Sequence, residues 1–214
     1  MNCKHFGTCG SCSITDIPYT QELQEKESRV LGLLAPFGVE RLEVFAAHES
    51  HYRARAEFRI WHNAQGENYA MGRADRQGAV TISECPKVIE PIEKRMSPLL
   101  EAINASETLK TKLFAVEFLA TTTDACLITL IYHRKLDDVW GEEAKALGEK
   151  LDALMLGRSR KQKVVLSQEF VTEKLLIEGR AYSYRHYESG FTQPNPAVNI
   201  QMIEWAMRQA KGVA

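Results

Sequence analysis

Cys3, Cys9 and Cys12 lie within the first twelve residues with the spacing C-x5-C-x2-C. Gly7 and Gly10 fall between them, and glycine lets a backbone fold tightly around a small inorganic centre. Thiolates are the ligands of iron–sulfur clusters and of structural zinc, both of which take four. A fourth is available in Cys85, within Glu84-Cys85-Pro86, a loop-like stretch between a predicted strand and a predicted helix. Either a [4Fe–4S] cluster or zinc satisfies this set. Zinc sites often use two C-x2–4-C pairs, and the single pair here favours the cluster. The plainer alternative is a set of scattered reduced thiols. Cys126 reads differently: Ala125 to Ile131 is apolar on both faces of a strand, where a thiol is inert packing with a raised pKa.

A second set of residues is basic. Arg53, Arg55 and Arg59 recur at alternate positions of a predicted strand, so their side chains share a face at about 7 Å spacing. That spacing suits successive phosphates of a nucleic acid; a solvated strand face is the plainer reading. Arg134-Lys135 and the run Arg158-Ser159-Arg160-Lys161-Gln162-Lys163 add local positive charge, the second reading either as a phosphate-contacting loop or as a solvated turn. Asp137 and Asp138 sit beside a predicted helix start and read as N-cap residues rather than as an acid–base pair.

Composition narrows the choices. A chain of 214 residues with 44% hydrophobic and 26% charged residues can bury a core. A net charge of −1 provides no global field for a nucleic acid, so any such partner must be held by a local patch. No signal-like segment and no uninterrupted apolar span of membrane length occurs, which places the chain in the cytoplasm with no membrane role. Five cysteines in that compartment argue for metal binding or reactive thiols over a disulfide framework.

These residues need elements to position them. Leu23, Val30 and Leu34 mark a helix over 19–34, stopped by Pro36 and Gly38. The stretch from Leu42 to Ile82 is strand-like, with a hairpin turning at Asn63, Gln65 and Gly66 and a second turn near Gln77 and Gly78. A helix follows at 88–103, then strands at 113–120 and 125–132, a helix over 138–155, and strands at 163–167 and 181–187. Asn195-Pro196 opens a last helix with Ile203, Ala206, Met207 and Ala210 on one face. The expected fold is α+β, a mostly antiparallel sheet with flanking helices and an N-terminal cysteine-rich metal loop.

Several ordered segments resemble one family. Ser50-His51-Tyr52-Arg53-Ala54-Arg55-Ala56-Glu57-Phe58-Arg59-Ile60-Trp61-His62 resembles the tRNA (uracil-5-)-methyltransferases, which make 5-methyluridine in the T-loop. So do Leu127 to Trp140, with Tyr132-His133-Arg134-Lys135-Leu136-Asp137-Asp138-Val139-Trp140, Gly190-Phe191-Thr192-Gln193-Pro194-Asn195, and Asn199-Ile200-Gln201-Met202-Ile203-Glu204-Trp205-Ala206. The cysteine pattern departs from those enzymes and is similar to that of the 23S ribosomal RNA uridine methyltransferases, whose four cysteines hold a [4Fe–4S] cluster.

The resemblance implies a division into residues 1–18 as a metal-binding loop, 19–188 as an RNA-recognition domain, and 189–214 as the start of an S-adenosylmethionine-dependent methyltransferase domain. It implies Cys3, Cys9, Cys12 and Cys85 as cluster ligands and Gln193 as a contact to S-adenosylmethionine. It also places Arg59, Phe114 and His133 toward a folded T-loop, where splayed bases stack on aromatic rings. Without it, Phe114 reads as core and His133 as a satisfied strand-end histidine; Phe191 reads as a wall of the base pocket or as core. The family adds a cysteine thiolate to C6 of uracil, methylates C5 and removes the C5 proton with a base. Its Ser-Cys-Asn-Pro nucleophile motif is absent from these residues, so no catalytic residue is assigned and the 214 residues alone are expected to be inactive. The implied partner is tRNA, with 23S rRNA as the alternative, bound by a monomer. A freestanding metal- and RNA-binding module is the non-enzymatic alternative.

Overall fold

In the stretch 55–63, Phe58 and Ile60 alternate with Glu57, Arg59 and Trp61, so one face of this strand is apolar and the other charged or aromatic. The computed structural model describes residues 3–13 and 17–211 and builds a seven-stranded sheet around it. The strands are β1 (Arg55–Asn63), β2 (Gly66–Gly72), β3 (Ala79–Ile82), β4 (Leu113–Ala120), β5 (Cys126–Tyr132), β6 (Leu154–Ser159) and β7 (Gln162–Val165), in the order β3-β2-β1-β4-β5-β6-β7. All neighbours are antiparallel except β5 and β6. The expected α+β architecture with a mostly antiparallel sheet is thus observed.

One sheet face is closed by α2 (Glu90–Ala105), α3 (Glu107–Lys110) and α4 (Asp138–Leu151). Phe58, Tyr69 and Phe118 form a triad of rings 5.5 to 6.3 Å apart under α2, and Trp140 of α4 meets Tyr132 edge-on at 5.9 Å. Ile92, Met96, Leu99 and Ile103 come in from α2. Burying each such side chain is worth about 1.5–3 kcal/mol, so this is the face that holds the sheet rigid. Asp137 caps α4, its carboxylate accepting from the Trp140 N–H at 2.9 Å, as its position before the helix implied.

On the opposite face a hairpin of β8 (Phe170–Ile177) and β9 (Arg180–Tyr187) covers only one part, where Val171 meets Leu119, Leu127 and Leu156. Glu178 and Gly179 turn it with φ of 45° and 75°, the paired left-handed residues of a tight hairpin turn. The rest of that face is open. Helices α1 (Tyr19–Leu34) and α5 (Pro196–Ala210) lie outside the sheet. Asn195 caps α5 at the Val198 N–H, and Gln201 and Trp205 tie it to the backbone of Ala46 and the carboxylate of Glu43.

The sequence expectations depart from this structure in four places. The helix over 138–155 ends at Leu151, because Asp152 turns left-handed with φ 48°, a C-terminal role usually given to glycine; the residues that follow are β6. Strand β8 was not expected at all, and the strand-like reading of 42–54 gives an irregular segment that precedes β1. The apolar positions of α1 are not buried. Residues 1–2 and 14–16 of the expected metal loop, and 212–214 of the last expected segment, lie outside the described residues.

Candidate functional site

The N-terminal loop is held to the β2–β3 hairpin through its backbone. Gly10 N–H donates to Gly72 O at 2.8 Å and Ala74 N–H to Thr8 O at 2.9 Å. A Cβ on Gly10 would stand 2.8 Å from the Arg73 carbonyl oxygen, so only glycine allows this approach. His5 accepts from the Ser83 N–H, and Lys4 pairs with Glu84 at 3.0 Å. The Cys85 loop is anchored separately, Pro86 O and Lys87 O receiving the N–H groups of His51, Tyr52 and Arg53.

These anchors bring Cys3, Cys9, Cys12 and Cys85 to the wall of one small cavity of about 40 Å³, with Phe6, Phe58, Met71 and Ile82 as its apolar lining. All four are half-buried and free of disulfides. Burial pushes the Cys12 thiol up; Lys87 pulls it down, Cys9 and Cys3 push it further up, and Arg53 pulls down again. Burial likewise raises Cys85, with Cys12 and Cys3 adding to the rise against backbone N–H groups at Lys87 and Val88. Thiols that raise one another are crowded, and a bound cation relieves that repulsion by stabilising the thiolates. Among the described residues no group of three metal-ligating side chains stands at coordinating geometry. What the four cysteines share is one cavity wall, and thiolates are ligands of iron–sulfur clusters and zinc. Cys126 is apart from it, buried in β5 with its thiol pushed up to about 12 by burial, the inert packing group expected.

The open sheet face carries the second candidate site. A register shift between Leu113 and Ala115 inserts one residue into β4, so that Leu113 and Val116 both face the helices while Phe114 turns to the open side. There Phe114 stacks on His133, ring centroids 4.3 Å apart at 24°, and the Arg59 guanidinium lies 5.6 Å from the Phe114 ring. Arg59 of β1, Phe114 of β4 and His133, the residue after β5, thus form one layered platform. Beside it runs a groove of about 1070 Å³ lined by Phe114, His133, Arg134, Lys135, Arg160 and Lys161, among others.

The three arginines of the first strand do not act alike. Arg59 is exposed with no carboxylate partner among the described residues. Arg53 is exposed before the strand begins, beside the cysteine cavity. Arg55 is turned inward: it pairs with Glu117 at 2.5 Å and donates to the carbonyls of Gly190 and Glu188 at 2.5 and 2.6 Å, so it ties down the chain after β9 and has no free donor face for a phosphate. Arg158 likewise pairs with the buried Glu188, and Arg134 is spent on the carbonyls of Thr108, Thr111 and Lys135.

Gln193 is half-buried in the segment following β9, held there by the Ala54 N–H donating to Pro194 O at 2.8 Å. Phe191 is 86% exposed, which excludes a core role within this structure. Neither touches the Arg59–Phe114–His133 platform through any described ring or hydrogen-bond contact. Sequence reasoning passed over Trp61, half-exposed on the same strand face as Arg59, although its alternation with Arg59 was the available signal.

Comparison with known proteins identifies the family of the chain. The sequence model of the tRNA (Uracil-5-)-methyltransferase family matches residues 18–214. A tRNA/tmRNA (uracil-C(5))-methyltransferase of Sulfurovum sp. (strain NBC37-1) is 65% identical over 214 residues, covering 100% of this chain and 58% of the relative. One from Sulfurimonas denitrificans is 43% identical over 210 residues, covering 98% of this chain and 57% of the relative. The chain therefore belongs to the tRNA (uracil-5-)-methyltransferase family and spans somewhat over half the length of the curated relatives it matches. Its fold is similar to that of a Pyrococcus abyssi tRNA (uracil-54, C5)-methyltransferase in complex with S-adenosyl-L-homocysteine, with a TM-score of 0.66 at 16% identity over 94% of this chain and 50% of that one. No helix among the described residues is long and apolar enough to cross a membrane.

Proposed function

We propose that this chain is the RNA-recognition portion of an S-adenosylmethionine-dependent RNA (uracil-5-)-methyltransferase that acts on the T-loop uridine of tRNA. The observation that carries this reading is the Arg59–Phe114–His133 platform, an exposed cation and two stacked rings on an otherwise rigid sheet. Unpaired bases of a folded loop stack on such rings, while Lys135, Arg160 and Lys161 beside them meet the phosphates. The helix-covered face of the sheet keeps the platform fixed, so the ordering cost falls on the RNA alone.

In this reading residues 19–188 grip the RNA and residues 189–214 begin the donor-binding domain, with Gln193 touching S-adenosylmethionine. The nucleophilic thiolate and the base belong to segments other than these 214 residues, which by themselves transfer no methyl group. Cys3, Cys9, Cys12 and Cys85 hold a [4Fe–4S] cluster, or zinc, whose work is structural: it joins the N-terminal loop to the Cys85 loop. The C-x5-C-x2-C pattern favours a second reading of the target, a uridine of 23S rRNA.

Binding of a labelled T-arm hairpin, followed by fluorescence anisotropy, tests the reading. Arg59→Ala and Phe114→Ala should each weaken binding about tenfold, since a base stacked on an aromatic ring is worth about 1–3 kcal/mol. A 23S rRNA hairpin bound more tightly than the T-arm would shift the target to ribosomal RNA. Equal binding by wild type and both variants would remove the platform from RNA recognition, and methylation by the 214 residues alone would overturn the assignment of chemistry elsewhere.

A further inference from the structure

Trp61 occupies an unusual place in this sheet. The aromatic residues on the helix side of β1, β2 and β4, namely Phe58, Tyr69 and Phe118, are buried, yet Trp61 is 50% exposed on the open side. The other two tryptophans are accounted for: Trp140 is buried in the core, and the Trp205 indole N–H donates to Glu43 at 2.6 Å. Trp61 has no ring, cation or hydrogen-bond partner among the described residues.

Its register explains its neighbours. Arg59 lies opposite Ala115 of β4 and Ala70 of β2, and Trp61 lies opposite Asn68 of β2. Two residues beyond Arg59 is about 7 Å along the strand on the same face. There β4 has reached its first residue, and the His62 ring next to Trp61 binds the Leu113 carbonyl at 2.8 Å. The indole therefore stands at the rim of the face where the bulge presents Phe114, past Arg59 and toward the open end of the sheet. Exposed Lys112, which precedes β4, carries no ion pair among the described residues and adds positive charge at this end. Glu57 is exposed on the same face, but on the far side of Arg59 from Trp61.

A large, rigid, half-exposed ring beside unpaired cations fits an unpaired nucleobase with its phosphate. We propose that Trp61 is a further stacking platform that receives one unpaired base of the bound RNA beyond those met by Phe114 and His133. This rests on the RNA-recognition reading above and adds a contact to it. The phosphates of that nucleotide face Arg59 and Lys112, and the apolar ring surface left open in the free protein is covered on binding.

The test uses the full 214-residue chain in a Trp205→Phe background, which leaves Trp61 and the buried Trp140 as the emitters. Titration with an unlabelled T-arm hairpin should quench tryptophan emission saturably, and the quench should disappear in Trp61→Phe. In anisotropy, Trp61→Ala should weaken hairpin binding about fivefold to tenfold, with Trp61→Phe recovering most of it and the salt dependence unchanged, because stacking displaces no counterions. Circular dichroism would verify that both variants fold. Normal binding by Trp61→Ala alongside weakened binding by Arg59→Ala would overturn the Trp61 contact while leaving RNA recognition intact. The same loss for a fully paired duplex would also overturn it, since paired bases offer no free face. Failure of the wild-type chain to bind the hairpin would remove both readings together.

Discussion

Arg55→Met should loosen the chain that follows β9 from the sheet. Arg55 pairs with Glu117 and donates to two carbonyls, of Glu188 and Gly190, while its own side chain is 26% and that of Glu117 14% exposed. Breaking a buried ion pair by removing one partner costs about 3–5 kcal/mol, and the partial exposure of the arginine lowers the expectation to about 2–4 kcal/mol. For a chain of this size that is a fall in melting temperature of roughly 4–16 °C. Burial already raises the Glu117 carboxyl above its ordinary value, and Arg55 restrains the rise. Without Arg55 the group is raised further. A carboxyl with a raised folded pKa penalises folding above that pKa and not below the unfolded one, so the deficit of the variant should shrink as pH falls from neutral toward about 4.5, the ordinary glutamate value. Urea unfolding at several pH values measures this, and Arg55→Met/Glu117→Gln should recover part of the loss. A deficit below about 0.5 kcal/mol at neutral pH, or one that grows on acidification above pH 4.5, would refute the clamp.

Two further outcomes follow from the cysteine cavity and from Glu188. Anaerobic purification with iron, sulfide and zinc analysis should find about four irons per chain with broad absorbance near ~400 nm, and Cys85→Ser should lose the metal and melt at lower temperature while still binding the T-arm hairpin; a metal-free wild type or an unchanged melting temperature would count against the cluster. At Glu188 burial works to raise the carboxyl, but Arg158 and Lys163 overcome it and hold the group below the ordinary glutamate range. Its stabilisation is therefore complete above the unfolded value of 4.5 and lost as pH falls through the lower folded value. Glu188→Gln should cost about 1–3 kcal/mol at neutral pH by urea unfolding, with the gap to wild type closing only in that acidic window.

The candidate sites were legible where a side chain's role depends on local pattern. The C-x5-C-x2-C spacing singled out three thiols and the loop setting of Cys85 a fourth, and all four line one cavity. Asp137 and Asn195 were readable as caps because an N-cap bonds only two or three residues ahead. Arg53, Arg55 and Arg59 were not separable, since alternation gives a common face but not what else lies over it. The chain after β9 holds Arg55 through the carbonyls of Glu188 and Gly190 while Arg59 stays exposed, and the hairpin that brings that chain there includes β8, a strand absent from the sequence expectation.

Sequence by itself determined the class of fold and the inert setting of Cys126, because strand alternation and an unbroken apolar run are properties of short segments. Only the tertiary structure decided that Asp152 ends α4 so that Leu154–Ser159 becomes a parallel strand, that a one-residue bulge turns Phe114 onto His133 and under Arg59, and that Arg55 faces Glu117. Apart from the local cap at Asp152, those outcomes depend on partners distant in sequence, from 19 residues between Phe114 and His133 to 135 between Arg55 and Gly190, and no local pattern encodes a contact at that separation.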